Sequence, residues 1–344
     1  MQAASEGTCV GRIGKVVRFV TDRWFIKTAF FLFFAWACVQ LWRFAEWARG
    51  NGPSVPRPEA VAGILPVGHF TSFFAWLKGG GWDTLLPAGL VIIIAAIVTS
   101  LFFKRGFCGW ICPVGTVWEG AASLGRRLLG GRNIRVPRWL DLVGLSLRYV
   151  IALVVFGFIA RVSVQEALWF RELPYMWVAD IKILEGFFSP MFMSVIALAF
   201  VLSMLFGPVW CRWLCPLGGL YSVFGVASAC TVMRDERTCV RCSRCNEVCH
   251  AGVDVERAAD VRAIECDGCM ECVKECPVDG CLTARAFRRF VIPPWVWALL
   301  VVGVWLGIYG VAKLTGNWDT TVPLPVFQQV IRSGLLEQQT PGFF

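Results

Sequence analysis

The chain has 344 residues, of which 57% are hydrophobic and 17% are charged, and its net charge at pH 7 is +9. It contains 17 Trp, 27 Phe and 16 Cys. A soluble domain is about 45–50% apolar and about 25% charged, so this balance excludes a disordered chain, a nucleic-acid-binding module and a typical soluble enzyme. Secreted proteins stapled by disulfides are short and lack long apolar stretches. The composition therefore indicates a membrane protein whose cysteines bind metal.

Five stretches are long and apolar enough to predict membrane spans, since a spanning helix needs about 20 mostly apolar residues. They cover about residues 24–42, 84–103, 142–160, 186–210 and 290–312. The third span carries Arg148, a side chain that is costly at bilayer depth. We expect this arginine near the cytoplasmic end of the span, where it can reach the interface. The alternative is a buried partner for a quinone headgroup or for an acidic side chain.

Positively charged residues indicate how the spans are oriented. Lys and Arg are concentrated before the first span, between the second and third spans (Lys104 and Arg105 among them) and at the end of a cysteine-rich segment. Because Lys and Arg beside a span mark the cytoplasmic side, residues 1–23 and the cysteine-rich segment are expected in the cytoplasm. With residues 24–230 as the main membrane domain and a fifth span after the cysteine-rich segment, the tail, 313–344, is expected in the periplasm.

An internal repeat carries four cysteines, in the motifs Cys108-Gly-Trp-Ile-Cys112-Pro-Val-Gly and Cys211-Arg-Trp-Leu-Cys215-Pro-Leu-Gly. Each motif follows an apolar span and precedes a short amphipathic stretch. The spacing of four predicts both thiols of a pair on one helical face, and the proline predicts a bend or a helix start.

Membrane proteins built from repeats place their functional site at the repeat interface, so the four thiolates are expected to converge there. Such a set suits an iron–sulfur cluster or a zinc ion. The alternative is that these cysteines are small buried residues in tight turns. We expect a further metal or redox site at Cys108, Cys112, Cys211 and Cys215.

Two further cysteine runs lie between residues 231 and 286 and have the spacing of bacterial ferredoxins that bind two 4Fe–4S clusters. In such proteins the fourth cysteine of each run ligates the other cluster. The predicted ligands of cluster I are Cys239, Cys242, Cys245 and Cys276. The predicted ligands of cluster II are Cys266, Cys269, Cys272 and Cys249. Two runs of four cysteines with the same ferredoxin spacing argue strongly against a zinc site in this segment.

The other cysteines fall outside both patterns and are interpreted as non-ligands, with Cys281 expected near the second cluster: Cys9, Cys38, Cys230 and Cys281. His250, which follows Cys249, is expected to donate a hydrogen bond near cluster II. The outward loops, 47–83 and 162–185, are rich in aromatic and charged residues such as His69, Arg171 and Asp180. Interfacial aromatics explain such loops, and the alternative is docking of a partner or a quinone. No nucleotide-binding or hydrolase motif is present.

The combination resembles the NapH/NosR-type family of membrane-bound polyferredoxins. The resemblance rests on the two Cys-x-x-x-Cys-Pro-x-Gly motifs and the two cysteine runs, and it extends from about the first span to Cys276. It implies a mainly α, polytopic protein of the bacterial inner membrane, with about five spans and an inserted cytoplasmic ferredoxin module of α+β type. It also implies that electrons taken from menaquinol reach a periplasmic oxidoreductase through a partner iron–sulfur protein. The fifth span and the tail depart from the simple four-span form of the family.

Several functions follow from these features. The leading hypothesis is an electron-transfer subunit that links the quinone pool to a partner oxidoreductase. The second is an assembly or maturation factor that supplies electrons or metal to a partner's site. The direction of electron flow is open, because cluster potentials span about −700 to +450 mV, so a cytoplasmic ferredoxin or flavodoxin is an alternative donor. A redox sensor ranks last, because the sequence contains no output domain.

Overall fold

The computed structural model describes residues 19–64, 66–131, 133–134 and 136–333, so Cys9, most of the predicted N-terminal segment and the end of the predicted tail lie outside the described residues. The described chain is mainly helical. Its α-helices are α1 (Arg23–Arg49), α2 (Pro66–Leu77), α3 (Pro87–Phe103), α4 (Pro113–Leu128), α5 (Arg138–Arg161), α6 (Val164–Glu172), α7 (Pro174–Gly186), α8 (Pro190–Phe206), α9 (Pro216–Val226), α10 (Arg244–Val248), α11 (Glu271–Lys274), α12 (Pro294–Leu314) and α13 (Leu324–Arg332). A 3₁₀ helix covers Glu59–Ile64, and two π-helical turns cover Phe107–Ile111 and Trp210–Leu214.

Among the described residues, three helices are long and apolar enough to cross a membrane: α1, α5 and α12. Helices α7 and α8 form a fourth candidate together, although they are bent by 68°. Helix α3, the predicted second span, is apolar but has only 17 residues. Its length is about 25 Å at a rise of about 1.5 Å per residue, less than the roughly 30 Å of a hydrocarbon core. The predicted five spans are therefore confirmed only as three or four.

Prolines explain where several of these helices begin. Pro87, Pro190 and Pro294 each occupy a first-turn position of their helix, where a backbone N–H is not needed for helical hydrogen bonding. The predicted fifth span started too early, because residues Phe290–Ile292 form a β-strand and the helix begins after Pro293. Apolar residues run without a break from that strand into the helix, so hydropathy alone does not separate the two.

The internal repeat is visible in the fold. In each copy an apolar helix leads through a π-helical turn into a shorter helix, as α3 to α4 in the first copy and α8 to α9 in the second. The helices exchange partners, because α4 packs against α8 and α9 packs against α3. This packing holds the two copies together and brings their two π-helical turns next to each other.

A substitution at Gly125 on α4 tests the packing of α4 against α8. A Cβ at Gly125 would lie 1.8 Å from the backbone oxygen of Met204 on α8, whereas a Cβ at Gly120 on the same helix meets nothing within 4 Å. We expect Gly125→Ala to lower the melting temperature in detergent, because forcing extra volume into a packed contact costs about 1–3 kcal/mol. Gly120→Ala should leave it unchanged or raise it, because alanine favours a helix by about 1 kcal/mol. Equal effects of the two variants would contradict the close contact.

The cysteine-rich segment packs directly on the membrane helices. Its three strands, β1 (Cys230–Arg234), β2 (Leu282–Ala286) and β3 (Phe290–Ile292), form an antiparallel sheet in that order, with Cys230 opposite Ala286 and Ala284 opposite Ile292. Val232 and Leu282 of the sheet share one hydrophobic core with Trp110, Ile26 and Trp297 of the helical part. The sheet and the membrane helices therefore form one packed body.

Candidate iron–sulfur centres

Each Cys-x-x-x-Cys motif of the repeat closes a π-helical turn. The backbone N–H of Cys112 donates to the oxygen of Phe107, and that of Cys215 donates to Trp210, in each case at 2.9 Å and across five residues. These turns are thus wound with hydrogen bonds across five residues instead of the four of an α-helix, and one common face for the two thiols of each pair stays a prediction. The predicted helix start is confirmed, because Pro113 and Pro216 open α4 and α9.

The second cysteine of each motif caps the following helix. The Sγ of Cys112 accepts the N–H of Gly115 at 3.4 Å, and the Sγ of Cys215 accepts that of Gly218 at the same distance. A Cβ at Gly115 would lie 3.1 Å from the backbone oxygen of Cys108, which favours glycine there. Burial raises the pKa of both thiols, and the N–H groups of the helix N-terminus, which stabilise negative charge, offset part of this effect.

The four repeat cysteines come together at the interface of the two copies. Cys211 interacts electrostatically with Cys215 of its own turn and with Cys108 and Cys112 of the other turn. Cys108 interacts in the same way with Cys112 and Cys215. Four neighbouring thiols, two of them at helix N-termini, are the donor set that a metal centre with four thiolate ligands needs, and such a centre stays a prediction.

The four cysteines predicted for cluster I line one open pocket, together with Cys281: Cys239, Cys242, Cys245 and Cys276. Cys242 is exposed, so this pocket lies at the surface of the protein. The expectation that Cys281 lies near the second cluster is wrong, because it interacts with Cys239 and Cys276. The loop that follows Cys276 turns back toward β2, and this turn carries Cys281 to the first set.

The four cysteines predicted for cluster II also lie together. Burial raises the pKa of Cys272 well above its usual value, and the neighbouring thiols of Cys269, Cys266 and Cys249 raise it further. Cys245 of the first set also acts on Cys272, so the two sets adjoin. The structure therefore groups these cysteines as the spacing predicts, and their roles as ligands of two cubane clusters stay a prediction.

The loop of the second set is seated on the turns of the repeat. The indole N–H of Trp110 donates to the backbone oxygen of Gly268 at 2.9 Å. A Cβ at Gly109 would lie 2.6 Å from the backbone oxygen of Asp267, so only glycine fits at this contact. In the other turn, Arg212 occupies the space beside Gly252. The three cysteine sets therefore follow one another from the exposed edge to the membrane helices: cluster I set, cluster II set, repeat set.

Arg148 joins the repeat to the second set. Its side chain is fully buried, its Nη2 lies 2.6 Å from the carboxylate of Glu265, and its Nη1 donates to the backbone oxygen of Cys211 at 3.3 Å. The phenol of Tyr149 donates to the same carboxylate at 2.6 Å. The expectation that this side chain reaches out to the interface is therefore wrong, and the alternative of an acidic partner is confirmed; a position near the cytoplasmic end of the span stays a prediction. Glu265 directly precedes Cys266, so the pair fixes the loop of the second set.

A second group of buried charges lies between α1, α4 and the cluster II loop. The carboxylate of Glu119 accepts hydrogen bonds from Arg23 at 2.5 and 2.7 Å and from Lys27. His250 lies 3.6 Å from Glu119 through its Nδ1 and 2.6 Å from Asp267 through its Nε2. These contacts tie the first helix of the membrane domain to the loop of the second set.

His250 lies beside the cysteines of the second set, as the sequence predicts. Its burial alone would lower its pKa, but Asp267 and Glu119 outweigh that effect and raise the pKa to about 10. The protonated ring donates its Nε2–H to Asp267, and its Nδ1 faces the carboxylate of Glu119 at 3.6 Å. The ligand atoms of His250, Asp267 and Cys269 lie within 4.8 Å of one another, so the imidazolium is a hydrogen-bond donor beside the second set, as expected.

Sequence reasoning missed Glu119, Glu265 and the burial of Lys104 and Arg105, which it used only as markers of orientation. Lys104 is 2% exposed and Arg105 is 6% exposed. One signal was available, because Cys266 is flanked by the acidic residues Glu265 and Asp267. Acidic side chains beside thiolates require cations nearby.

The outward residues that the sequence singles out are engaged in contacts within the chain. Arg57 donates to Asp180 at 2.6 Å and to Glu59 at 2.9 Å, and all three side chains are largely buried. Arg171 donates to the backbone oxygen of Trp82 at 3.3 Å. These contacts join the outer ends of the helices, and a docking or quinone role for this surface stays a prediction.

Comparison with known proteins agrees with this arrangement. A family model described as a 4Fe-4S binding domain matches residues 85–132 and 188–228, which are the two copies of the repeat. YccM of Escherichia coli (strain K12), provisionally named an electron transport protein, is 33% identical over 286 residues that cover 80% of each chain. The ferredoxin-type protein NapH of the same organism is 28% identical over 205 residues, 56% of this chain and 68% of NapH.

The regulatory protein NosR of Pseudomonas aeruginosa is 27% identical over 216 residues, which make up 60% of this chain but 29% of NosR. No solved structure matches the chain. The family model covers both copies of the repeat, and the similarity to YccM extends over most of both proteins. The chain belongs to the NapH/NosR-type family of membrane-bound, ferredoxin-type 4Fe–4S proteins.

Proposed function

We propose that the chain is a membrane-bound electron-transfer subunit that links the quinone pool, through oxidation of menaquinol, to a partner respiratory oxidoreductase or iron–sulfur protein at the periplasmic side. The observation that carries this proposal is the order of the three cysteine sets from an exposed edge to the membrane helices. Relatives named ferredoxin-type proteins, such as NapH, support an electron-transfer role.

Each cysteine set has its own part in the proposed transfer. Cys239, Cys242, Cys245 and Cys276 would hold cluster I; Cys266, Cys269, Cys272 and Cys249 would hold cluster II; and Cys108, Cys112, Cys211 and Cys215 would hold a third centre. Such clusters supply one-electron transfer without atom transfer. The chain positions the second and third sets against each other through Trp110, Arg148 and Glu265. Cysteines of the second set pack against a hydrophobic core that includes Trp110.

The proposed topology places the N-terminus and the cysteine-rich segment in the cytoplasm and the tail in the periplasm of a bacterial inner membrane. It requires α3 and α8 to act as short spans beside α1, α5 and α12. Their 17 apolar residues each are at the lower limit of about 17–25 residues for a spanning helix. The partner exchange between the repeat copies supports this role, because it pairs each short apolar helix with a helix of the other copy.

Reduction by quinol tests the proposal. The chain is purified anaerobically in detergent, a menaquinol analogue is added, and the clusters are followed by EPR spectroscopy with iron counted on the same sample. We expect reduction that an inhibitor of quinone sites abolishes. Reduction only by a cytoplasmic ferredoxin or flavodoxin would instead make the chain a conduit from the cytoplasm to the membrane.

A second candidate is an assembly or maturation factor for a partner's metal site. The observation that favours it is the separate repeat set, whose four cysteines lie outside both ferredoxin runs. In that case replacing Cys108 and Cys211 would block maturation of the partner while clusters I and II stay intact. Normal maturation of the partner in that variant would reject this candidate.

A further inference from the structure

Lys104 is a buried lysine at the end of α3. Its side chain is 2% exposed, and its Nζ has no hydrogen-bond partner among the described residues. Burial lowers the pKa of its ammonium, while the nearby Cys266 and Asp260 raise it. Its backbone has φ 61° and ψ −148°, a conformation that side chains other than glycine rarely adopt. An unpaired buried ammonium and a strained backbone are both unfavourable, and such combinations persist where they serve a functional site.

The position of Lys104 identifies that site as the loop of the second cysteine set. A Cβ built on Gly268 would lie 3.5 Å from the Cβ of Lys104, and the charge of Lys104 acts on Cys266. The next residue, Arg105, serves the other centre. Its Nη1 lies 3.8 Å from the Cβ position of Gly218 in the second repeat, and its charge acts on Cys108. Lys104 therefore lies beside the second cysteine set, and the adjacent Arg105 lies beside the repeat cysteines.

The other charged side chains around the second set have hydrogen-bond partners within the chain. Asp267 is paired with His250 at 2.6 Å, and Arg23 is paired with Glu119 at 2.5 Å. Arg105 donates its Nη2 to the backbone oxygen of Glu265. Lys104 is thus a cation at this loop whose ammonium makes no hydrogen bond among the described residues, so its donors are free for a bound anion. A 4Fe–4S cluster with four thiolates is such an anion, and its negative charge increases by one when it is reduced.

We propose that Lys104 raises the reduction potential of the cluster held by Cys249, Cys266, Cys269 and Cys272. This shift favours transfer of an electron from cluster I to cluster II, next to the repeat cysteines. In this step cluster I is oxidised by one electron and cluster II is reduced by one, and no proton or atom is transferred. The inference rests on the proposed function only in requiring that both clusters are bound.

The test is an EPR-monitored redox titration of the full chain with Lys104→Met, which keeps the length of the side chain and removes its charge. A further substitution, Cys242→Ser at the exposed edge of cluster I, changes the signal of that cluster and so identifies it. We expect the ratio of reduced to oxidised cluster II at a fixed potential to fall by about tenfold or more, because a nearby charge acts strongly in a buried site. Tenfold corresponds to a decrease of about 59 mV for one electron. Cluster I should be unchanged.

Two controls separate charge from structure. Lys104→Arg keeps the charge and should keep the potential of the native chain. Lys274→Met removes a cation of the same module whose side chain is 57% exposed, and it should have little effect because solvent screens it. An unchanged cluster II potential in Lys104→Met, or equal shifts of both clusters, would overturn the inference.

The Lys104→Met variant could lose cluster II altogether, and its iron content would reveal this. The inference then predicts that Lys104→Arg restores the iron, because the charge is what the cluster requires. If Lys104→Arg also lacks iron, the cluster needs the shape of the lysine side chain and not its charge. That result would overturn the inference. A native chain that holds no cluster at all would reject the proposed function itself, so the two failures are distinct.

Discussion

Replacing Cys108 and Cys211 with serine is expected to lower the iron content of the anaerobically purified chain from about twelve to about eight per molecule, since each 4Fe–4S cluster contributes four. One ligand is lost from each copy of the repeat, so the third centre cannot keep four thiolates. The two ferredoxin clusters should stay, because their eight cysteines belong to separate loops. Iron analysis and EPR spectroscopy on the same sample give both numbers.

Cys38→Ser is the matched control for this experiment. Cys38 lies on α1, outside every cysteine set, and is half-buried like the repeat cysteines. Its replacement should leave the iron content of the native chain unchanged. A native chain with about eight irons, unaffected by the double serine variant, would show that the repeat holds no cluster. Zinc that disappears with the same substitution would identify the site as a zinc centre.

The grouping of the cysteines was predictable because cluster-binding loops are local in sequence. Three ligands of each ferredoxin cluster lie within seven residues, and the known crossover pattern supplies the fourth. The structure brings Cys276 to the first set and Cys249 to the second, in agreement with that pattern. The ligand roles themselves stay predictions, and iron counts of the serine variants test those of the repeat.

The contacts that join the centres were not predictable from local patterns. Arg148 and Glu265 are separated by 117 positions, and Arg23 and Glu119 by 96. Each arginine read alone looks like an interfacial or orienting charge, because hydropathy and charge bias carry no information on which distant carboxylate meets it. These arginines meet their carboxylates only because helices pack between the repeat copies and because the ferredoxin loop packs against the repeat.

The limits of hydropathy also explain the errors in the spans. Helix α5, the least regular of the predicted spans because of Arg148, is one of the three long apolar helices of the described chain. Helices α3 and α8 gave strong apolar signals, but each has only 17 residues, because Pro87 and Pro190 set their starts and Gly207 ends α8. Apolar content therefore predicted where helices lie better than it predicted how many cross the membrane.

Glu119→Gln is expected to destabilise the fold more than Gly125→Ala does. The carboxylate of Glu119 is 7% exposed and compensates two cations, Arg23 and Lys27, that are themselves buried. Although burial alone would raise its pKa, His250 and Arg23 hold the pKa of Glu119 well below its usual value, so it is ionised at neutral pH. Removing one partner of a buried ion pair costs about 3–5 kcal/mol, because the remaining charge is left uncompensated.

Thermal unfolding in detergent measures this loss, and a second substitution tests its cause. Lys27→Met in the Glu119→Gln chain removes one of the two stranded cations, so it should recover part of the lost stability. Glu166→Gln is the matched control, because Glu166 belongs to an exposed capping box in which glutamine serves as well as glutamate. If Glu119→Gln unfolds like the native chain, the charges are solvated and α1 is held by packing alone. If Lys27→Met gives no recovery, the loss comes from hydrogen-bond geometry at Arg23, and charge compensation does not hold α1 to the cluster II loop.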